Sequence, residues 1–318
     1  MKIFHRLYRK LNHKYIKISS SLKLKLFKLT LNKNTFIILA LFFSLSAFFL
    51  GKTLVNFNSN YLANETLIHF INVGQGDAIL INNKNYNILI DSGSNDSSDC
   101  LTSYLKAFGI KKLDYIIATH PHEDHIGSMD DIINNFHVNN LIAPNITSSD
   151  ADFVNMVKAL KHKNLKINVI EDNTTLNLLD NSYLAFLWSG NIATDNINNN
   201  SLVVKYINRE LSFLFTGDIE KEVETQLQSI NGPLLDSDIL KVAHHGSNSS
   251  STSNFLSAVS PSISIISCGL GNNYGHPHKN TLTNLTTINS SIYRTDINGN
   301  ILMKTDGYKL WINTEYDN

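Results

Sequence analysis

The run His120-Pro121-His122-Glu123-Asp124-His125 places His120, His122, Asp124 and His125, four side chains able to bind a divalent cation, within six residues. It follows an apolar stretch, residues 113–118, that reads as a buried strand. A strand ending in imidazoles and a carboxylate is a catalytic metal edge, and the fold has to present it. His120 and His122 are two residues apart, so in an extended turn both imidazoles project to one side and can grip one ion. Asp124 and His125 open a helix expected over residues 124–136 and reach a second ion. Two ions roughly 3.5–4 Å apart can share a hydroxide and clamp the attacking and leaving oxygens of a hydrolysis. The competing reading, a polar loop of solvated histidines, is disfavoured by so dense a pattern directly after a strand.

The formal net charge is zero, which conceals an asymmetry: 11 of the 27 Lys and Arg, and none of the 27 Asp and Glu, precede Glu65. The remainder holds 16 basic against 27 acidic residues. Residues 35–51 carry no charge, and extended to 55 they are long enough to span most of a hydrocarbon core of about 30 Å. Ten Lys or Arg stand before them, so the sequence predicts an uncleaved, single-pass signal anchor at 35–55. Segment 1–34 is then basic and cytoplasmic, 56–64 a linker, and 65–318 a hydrolase domain outside the cytoplasm, held at the cell membrane. A cleaved signal peptide is the rival reading; the long basic lead and the lack of a small-x-small site argue against it. Cys100 and Cys268 form neither a metal-type CxxC nor a disulfide framework.

From Glu65 the chain reads as short strands interleaved with helices. Strands are expected at 66–73, 78–81, 86–90, 113–118, 141–143, 166–170, 183–188, 202–207, 211–215, 239–243, 263–267, 301–304 and 308–313. Helices are expected at 98–108, 150–161 and 220–228 besides 124–136. The mixture of meander and alternation implies two sheets covered by helices.

Four further places look chemical. Asp91 leaves an apolar strand into Ser92-Gly93 and is either an ordinary turn residue or the partner that orients a ligand histidine. Asp218, in Thr216-Gly217-Asp218, either bridges two metals or caps the next helix. Of the adjacent His244 and His245, one is expected to face the metal and the other to act as acid, phosphate contact or packing group. In Tyr274-Gly275-His276-Pro277-His278, His276 suits a site and His278 a solvated loop.

The order of these elements resembles the metallo-β-lactamase superfamily of hydrolases, and within it the hydrolase domain of ComEC-type DNA-uptake proteins. The closer likeness rests on Val73-Gly74-Gln75-Gly76-Asp77, residues 119–127 (THPHEDHIG), Asn200-Ser201-Leu202-Val203, Phe215-Thr216-Gly217-Asp218, residues 240–247 (LKVAHHGS), Tyr274-Gly275-His276-Pro277 and Tyr293-Arg294-Thr295-Asp296. These span residues 67–312. The resemblance implies an α/β fold, an αβ/βα sandwich with the metal site at one edge between the sheets. It puts His120 and His122 on a first metal and Asp124 and His125 on a second, with Asp218 bridging. One of His244 or His245, with His276, completes the shells. Asp77, Asn200, Ser201 and Ser247 then stand behind the ligands or against substrate. Where superfamily members often carry a further ligand histidine, this chain offers Asn200 and Ser201, so one or two ions are expected, Zn2+ or Mn2+. ComEC-type channels join the domain to a polytopic membrane region, whereas one candidate span is present here, so function is argued from the site.

The expectation is a membrane-anchored, extracytoplasmic, metal-dependent hydrolase of phosphodiesters, DNA or another. A metal-held hydroxide attacks phosphorus beside Asp218, and a protonated His244 or His245 assists the leaving group. The acidic balance after residue 64 works against non-specific nucleic-acid binding. Alternatives are an esterase for phosphocholine or other small diesters of surface polymers, a lactonase or β-lactamase, and an inactive surface binding module. The sequence names no protein partner.

Overall fold

The computed structural model describes residues 65–316 apart from Asn191 and Ala193. They fall within one compact unit, Leu62–Asn318. β1 (Thr66–Phe70), β2 (Ile79–Asn83) and β3 (Asn87–Ile90) form an antiparallel meander. β4 (Lys112–Ile117), β5 (His137–Ile142) and β6 (Ile167–Asn168) extend it in parallel. The second sheet begins antiparallel with β7 (Thr174–Asn177), β8 (Ser182–Trp188), β9 (Val203–Asn208) and β10 (Leu211–Phe215). It continues in parallel through β11 (Ile239–Lys241), β12 (Ile263–Ile266) and β13 (Ser291–Arg294). β14 (Ile301–Thr305) and β15 (Leu310–Thr314) return to the first sheet beside β1.

Alternation along each strand decides the layers. Ile88 and Ile90 on β3, with Phe213 and Phe215 on β10, fill the core between the sheets. Leu89 and Leu214, one residue out of phase, face helices instead. Because both faces are buried, these strands read as unbroken apolar runs. Helices α1 (Ser98–Ala107), α2 (Glu123–Ile126), α3 (Met129–Asn135) and α4 (Ala151–His162) lie between strands of the first sheet. Leu101 and Leu105 of α1, Ile132 and Ile133 of α3, and Met156 of α4 cover its outer face. Helices α5 (Lys221–Asn231), α6 (Ser253–Val259) and α7 (Lys279–Thr287) supply Val223, Phe255 and Leu285 to the second sheet, and α8 (Thr295–Asn298) follows β13. The result is the expected αβ/βα sandwich.

The anchor expected at 35–55, with its flanks 1–34 and 56–64, lies outside the described residues. Among the described residues no helix is long and apolar enough to cross a membrane. The longest, α4, has 12 residues, and at about 1.5 Å per residue it falls well short of a core about 30 Å thick. The described residues therefore form the sandwich alone. Single-pass topology, the membrane as a partner and the extracytoplasmic placement of the catalytic domain rested on that anchor and are not supported.

His69 on β1 is fully buried, its Nδ1 3.0 Å from the Tyr104 hydroxyl, and burial lowers its pKa to about 4. In the unfolded chain it takes a proton near pH 6.5. Between those values the unfolded state binds more protons, so stability present at neutral pH is lost as pH falls, by about 2–3 kcal/mol at most. The urea midpoint is expected to drop more between pH 7 and 4.5 in the natural chain than in His69→Gln. Equal drops would exclude this residue as the cause.

Candidate metal centre

Parallel pairing sets the site. β3 and β4 run side by side in register Ile90 to Ile117, and β10 and β11 in register Phe215 to Lys241. Their carboxyl ends therefore release Asp91, residues 119–125, Asp218 and His244-His245 near one edge of the sandwich, as strand ends of open α/β sheets generally do.

Asp91 sits in the left-handed region (φ 57°), which turns its side chain back under the next strand end. Its Oδ1 accepts the Thr119 N–H at 2.8 Å, and its Oδ2 accepts the Thr119 hydroxyl at 2.7 Å and His125 Nδ1 at 2.8 Å. That bond orients the His125 ring and turns Nε2 toward the carboxylates, 3.3 Å from Asp218 Oδ2 and 3.9 Å from Asp124 Oδ1. His245 is oriented the same way: Nδ1 donates to the Ser267 carbonyl at 3.0 Å, and Nε2 lies 3.1 Å from Asp124 Oδ2 and 3.4 Å from Asp218 Oδ2. One donor atom from each of Asp124, His125, Asp218 and His245 lies within 4.8 Å of all the others. His125 Nε2, His245 Nε2 and Asp218 Oδ1 are buried with no directed hydrogen bond. Orphaned donors of nitrogen and oxygen converging from two imidazoles and two carboxylates fit a divalent ion.

Burial opposes a charge on His125 and His245, yet the nearby carboxylates, Asp218 foremost, outweigh it. The His245 pKa rises to about 10 and that of His125 well above the usual range. Burial likewise opposes ionisation of Asp218 and Asp124, and the two imidazoles outweigh it, holding both below the usual carboxylate range. An incoming ion takes over this charge balance by displacing the imidazole protons.

His120 Nε2 and His122 Nδ1 face each other at 3.0 Å, and the His120 and His125 rings are 4.2 Å apart. Beside them Ser201 Oγ lies 3.2 Å from His120 Nδ1 and accepts the Asp218 N–H at 3.0 Å. Asn200 turns away: its amide donates to the carbonyls of Gly190 and Ile192, tying a loop and not the site. Ser247 also serves the backbone, its hydroxyl 2.9 Å from that of Ser249 and its carbonyl accepting from Thr281. His244 keeps Nδ1 3.4 Å from Glu220 Oε1 and 3.2 Å from the Ser249 hydroxyl, with Nε2 3.7 Å from Asp218 Oδ2. The His276 ring is 5.6 Å from that of His244 and 6.2 Å from that of His245. Burial lowers the pKa of both His244 and His276, the latter to about 4. His122, His244 and His276 line the wall of a cleft of about 700 Å³ above Asp124 and Asp218.

Beneath the cluster, buried Asp77 reaches His245 Nδ1 at 3.6 Å with one oxygen and Lys241 Nζ at 2.6 Å with the other. Sequence reasoning missed Lys241. The signal was there: a lysine inside the apolar stretch of β11 needs a buried anion. Gly76 lets this layer close up, since a Cβ on it would lie 2.2 Å from the Asp124 carbonyl oxygen.

Asp91→Asn keeps the volume and removes the carboxylate that holds His125. Metal affinity, measured by calorimetric titration with Mn2+ or Zn2+, is expected to fall about 10–100-fold with the fold retained. Unchanged affinity would mean that His125 is not a ligand.

The sequence profile of the Metallo-beta-lactamase superfamily matches residues 71–270. ComE operon protein 3 of Bacillus subtilis is 31% identical over 260 residues, covering 76% of this chain and 33% of that protein. Competence protein ComA of Neisseria gonorrhoeae is 25% identical over 237 residues, covering 74% and 32%. Recombination protein 2 of Haemophilus influenzae is 27% identical over 239 residues, covering 73% and 28%. The chain thus spans about a third of the length of these relatives, and the homology is partial. Among solved structures, the metallo-beta-lactamase fold protein YhfI of Bacillus subtilis superposes with a TM-score of 0.50 at 15% identity, covering 78% of this chain and 99% of that one. The beta-hydroxylase CmlA does so at 0.50 and 13%, covering 76% and 54%. At such identity these likenesses bear on the fold alone. Fold and cluster together support a metal-dependent hydrolase activity.

Proposed function

The chain belongs to the metallo-beta-lactamase superfamily, and from that premise we propose that it hydrolyses phosphodiesters at a site like that of the ComEC-type hydrolase domain. The observation that carries the reading is the convergence of the buried His125 Nε2 and His245 Nε2 on Asp218 Oδ2, at 3.3 and 3.4 Å, below a cleft walled by further histidines. His125, His245, Asp124 and Asp218 would hold one divalent ion. His120 and His122, facing each other beside Asp218, are the place for a second. An ion bound there supplies Lewis acidity and a water activated near neutral pH. The donor set contains no sulfur and is half carboxylate, which suits manganese as well as zinc.

His244 is held from behind by Glu220 and Ser249, so its Nε2 faces the cleft. In its protonated form, which burial opposes and a phosphate anion in the cleft would favour, it can donate to a phosphoryl oxygen or pass a proton to the leaving oxygen. His276 stands further up the wall, within reach of the same group. The relatives are named as competence and recombination proteins, which favours nucleic acid as the diester.

The test assays the purified chain with Mn2+, Zn2+ or chelator against single-stranded DNA, double-stranded DNA and bis(p-nitrophenyl) phosphate, beside Asp124→Ala. Metal-dependent cleavage that chelator abolishes and the substitution weakens is expected. Cleavage indifferent to both would sink the proposal. Intact DNA with a cleaved small diester would move the assignment to a small-diester esterase, and turnover of lactones or β-lactams alone would move it to carbonyl chemistry.

A further inference from the structure

The geometry points to Tyr274 as a platform on which an unpaired nucleobase stacks beside the cleaved phosphodiester. This inference rests on the phosphodiesterase reading and specifies what is bound next to the phosphate. Tyr274 is 66% exposed, although it lines the same cleft as Asp124, Asp218 and His245. Its ring lies 5.6 Å from that of His276 with 20° between the planes. A large aromatic surface left bare at the mouth of a polar site is a place for a flat partner.

The loop that carries it is pinned. Asn272 Oδ1 accepts the N–H of Tyr274 at 3.1 Å and that of His276 at 3.0 Å. Its amide donates to the carbonyls of Gly269 and His276, and the Gly269 N–H donates to Gln75 Oε1 at 3.1 Å. A ring fixed before substrate arrives loses little freedom on binding.

Charge points the same way. Among the described residues no Lys or Arg lines the cleft, whereas Asp96 and Glu123 stand on its wall. From Glu65 onward acidic residues outnumber basic ones 27 to 16. Within residues 65–316 a nucleic acid therefore finds no lysine or arginine on the cleft wall with which to neutralise the phosphates flanking the bound one. What remains is one phosphate at the metal cluster and an uncharged contact beside it. Stacking on an aromatic ring provides that contact for any base, provided the base is unpaired. The substrate class is thus single-stranded nucleic acid or a nucleotide diester, bound with little dependence on salt.

The experiment uses the full chain with Mn2+, two oligonucleotides of equal length, one thymine-bearing and one abasic, and the variants Tyr274→Ala and Tyr274→Phe. The natural chain is expected to favour the base-bearing strand by about 10-fold or more in KM. Tyr274→Ala should erase that preference and Tyr274→Phe should keep it. Between 50 and 200 mM salt the KM should move far less than the roughly 1,000-fold that six or more phosphate contacts would give. If both strands are cut equally well by the natural chain, or the preference survives in Tyr274→Ala, stacking is overturned while phosphodiester cleavage stands. If neither strand nor bis(p-nitrophenyl) phosphate is cut, both readings fall together.

Discussion

Asp218→Ala is expected to abolish metal-dependent hydrolysis, lowering kcat/KM for bis(p-nitrophenyl) phosphate by well over about 100-fold. Loss of a group that only supports a ligand already costs about 10–100-fold, and Asp218 does more than support. Its Oδ2 lies 3.3 Å from His125 Nε2, 3.4 Å from His245 Nε2 and 3.7 Å from His244 Nε2, so it is the carboxylate on which three imidazoles converge. Without it two buried imidazoles face each other with less negative charge to hold a cation between them. Asp218→Asn separates charge from volume: it retains the packing and should lose nearly as much activity. Metal affinity by calorimetry should fall in step with kcat/KM in both variants. Activity within about 10-fold of the natural chain in Asp218→Asn would show that the reaction does not depend on this carboxylate.

Lys241→Met is expected to be the most destabilising single change near the site, at about 3–5 kcal/mol. Lys241 and Asp77 are both 1% exposed, and Nζ meets Asp77 Oδ2 at 2.6 Å while donating to the Val242 carbonyl at 3.1 Å. Methionine preserves the stem and strands the carboxylate in the core. Against a total stability of roughly 5–15 kcal/mol for a domain, such a loss is large. Adding Asp77→Asn should recover part of it, because the uncompensated charge goes with its partner. Urea unfolding at pH 7 checks both variants. A cost below about 1 kcal/mol for Lys241→Met, or no recovery in the double variant, would mean that the pair relaxes onto solvent.

What could be read from the chain beforehand follows from where the chemistry sits. Asp91, residues 120–125, Asp218 and His244-His245 each interrupt an apolar run, and a run buried on both faces is visible as such. Their meeting could not be read locally, since it depends on two sheets closing over Phe213 and Ile90. The helix expected over 124–136 is broken into α2 and α3 where the bond that would carry it across is replaced: the Ser128 N–H donates to the Gly93 carbonyl at 3.3 Å, and the Asp124 carbonyl accepts the Asp77 N–H at 3.1 Å. β7 and α7 escaped because Thr and Asn dominate them, leaving too few apolar positions for a period to show, and α6 because seven residues are too few to display one. Asn200 and Ser201 looked equivalent as neighbours, yet only Ser201 reaches the cluster; side-chain direction after a strand start is a tertiary outcome. The apolar run at 35–55 is plain in the sequence and lies outside the described residues, among which no helix is long and apolar enough to cross a membrane.

The four proposed ligands are shared evenly between the two sheets: Asp124 and His125 follow β4, and Asp218 and His245 follow β10 and β11. An ion gripped by all four is a rivet through the seam of the sandwich as well as a reagent. Loading it at 100 times its dissociation constant would add about 2.7 kcal/mol to the cohesion of the two halves. Starvation for metal would then loosen the body of the protein along with silencing its chemistry, so that one supply governs both how long the molecule lasts and whether it works.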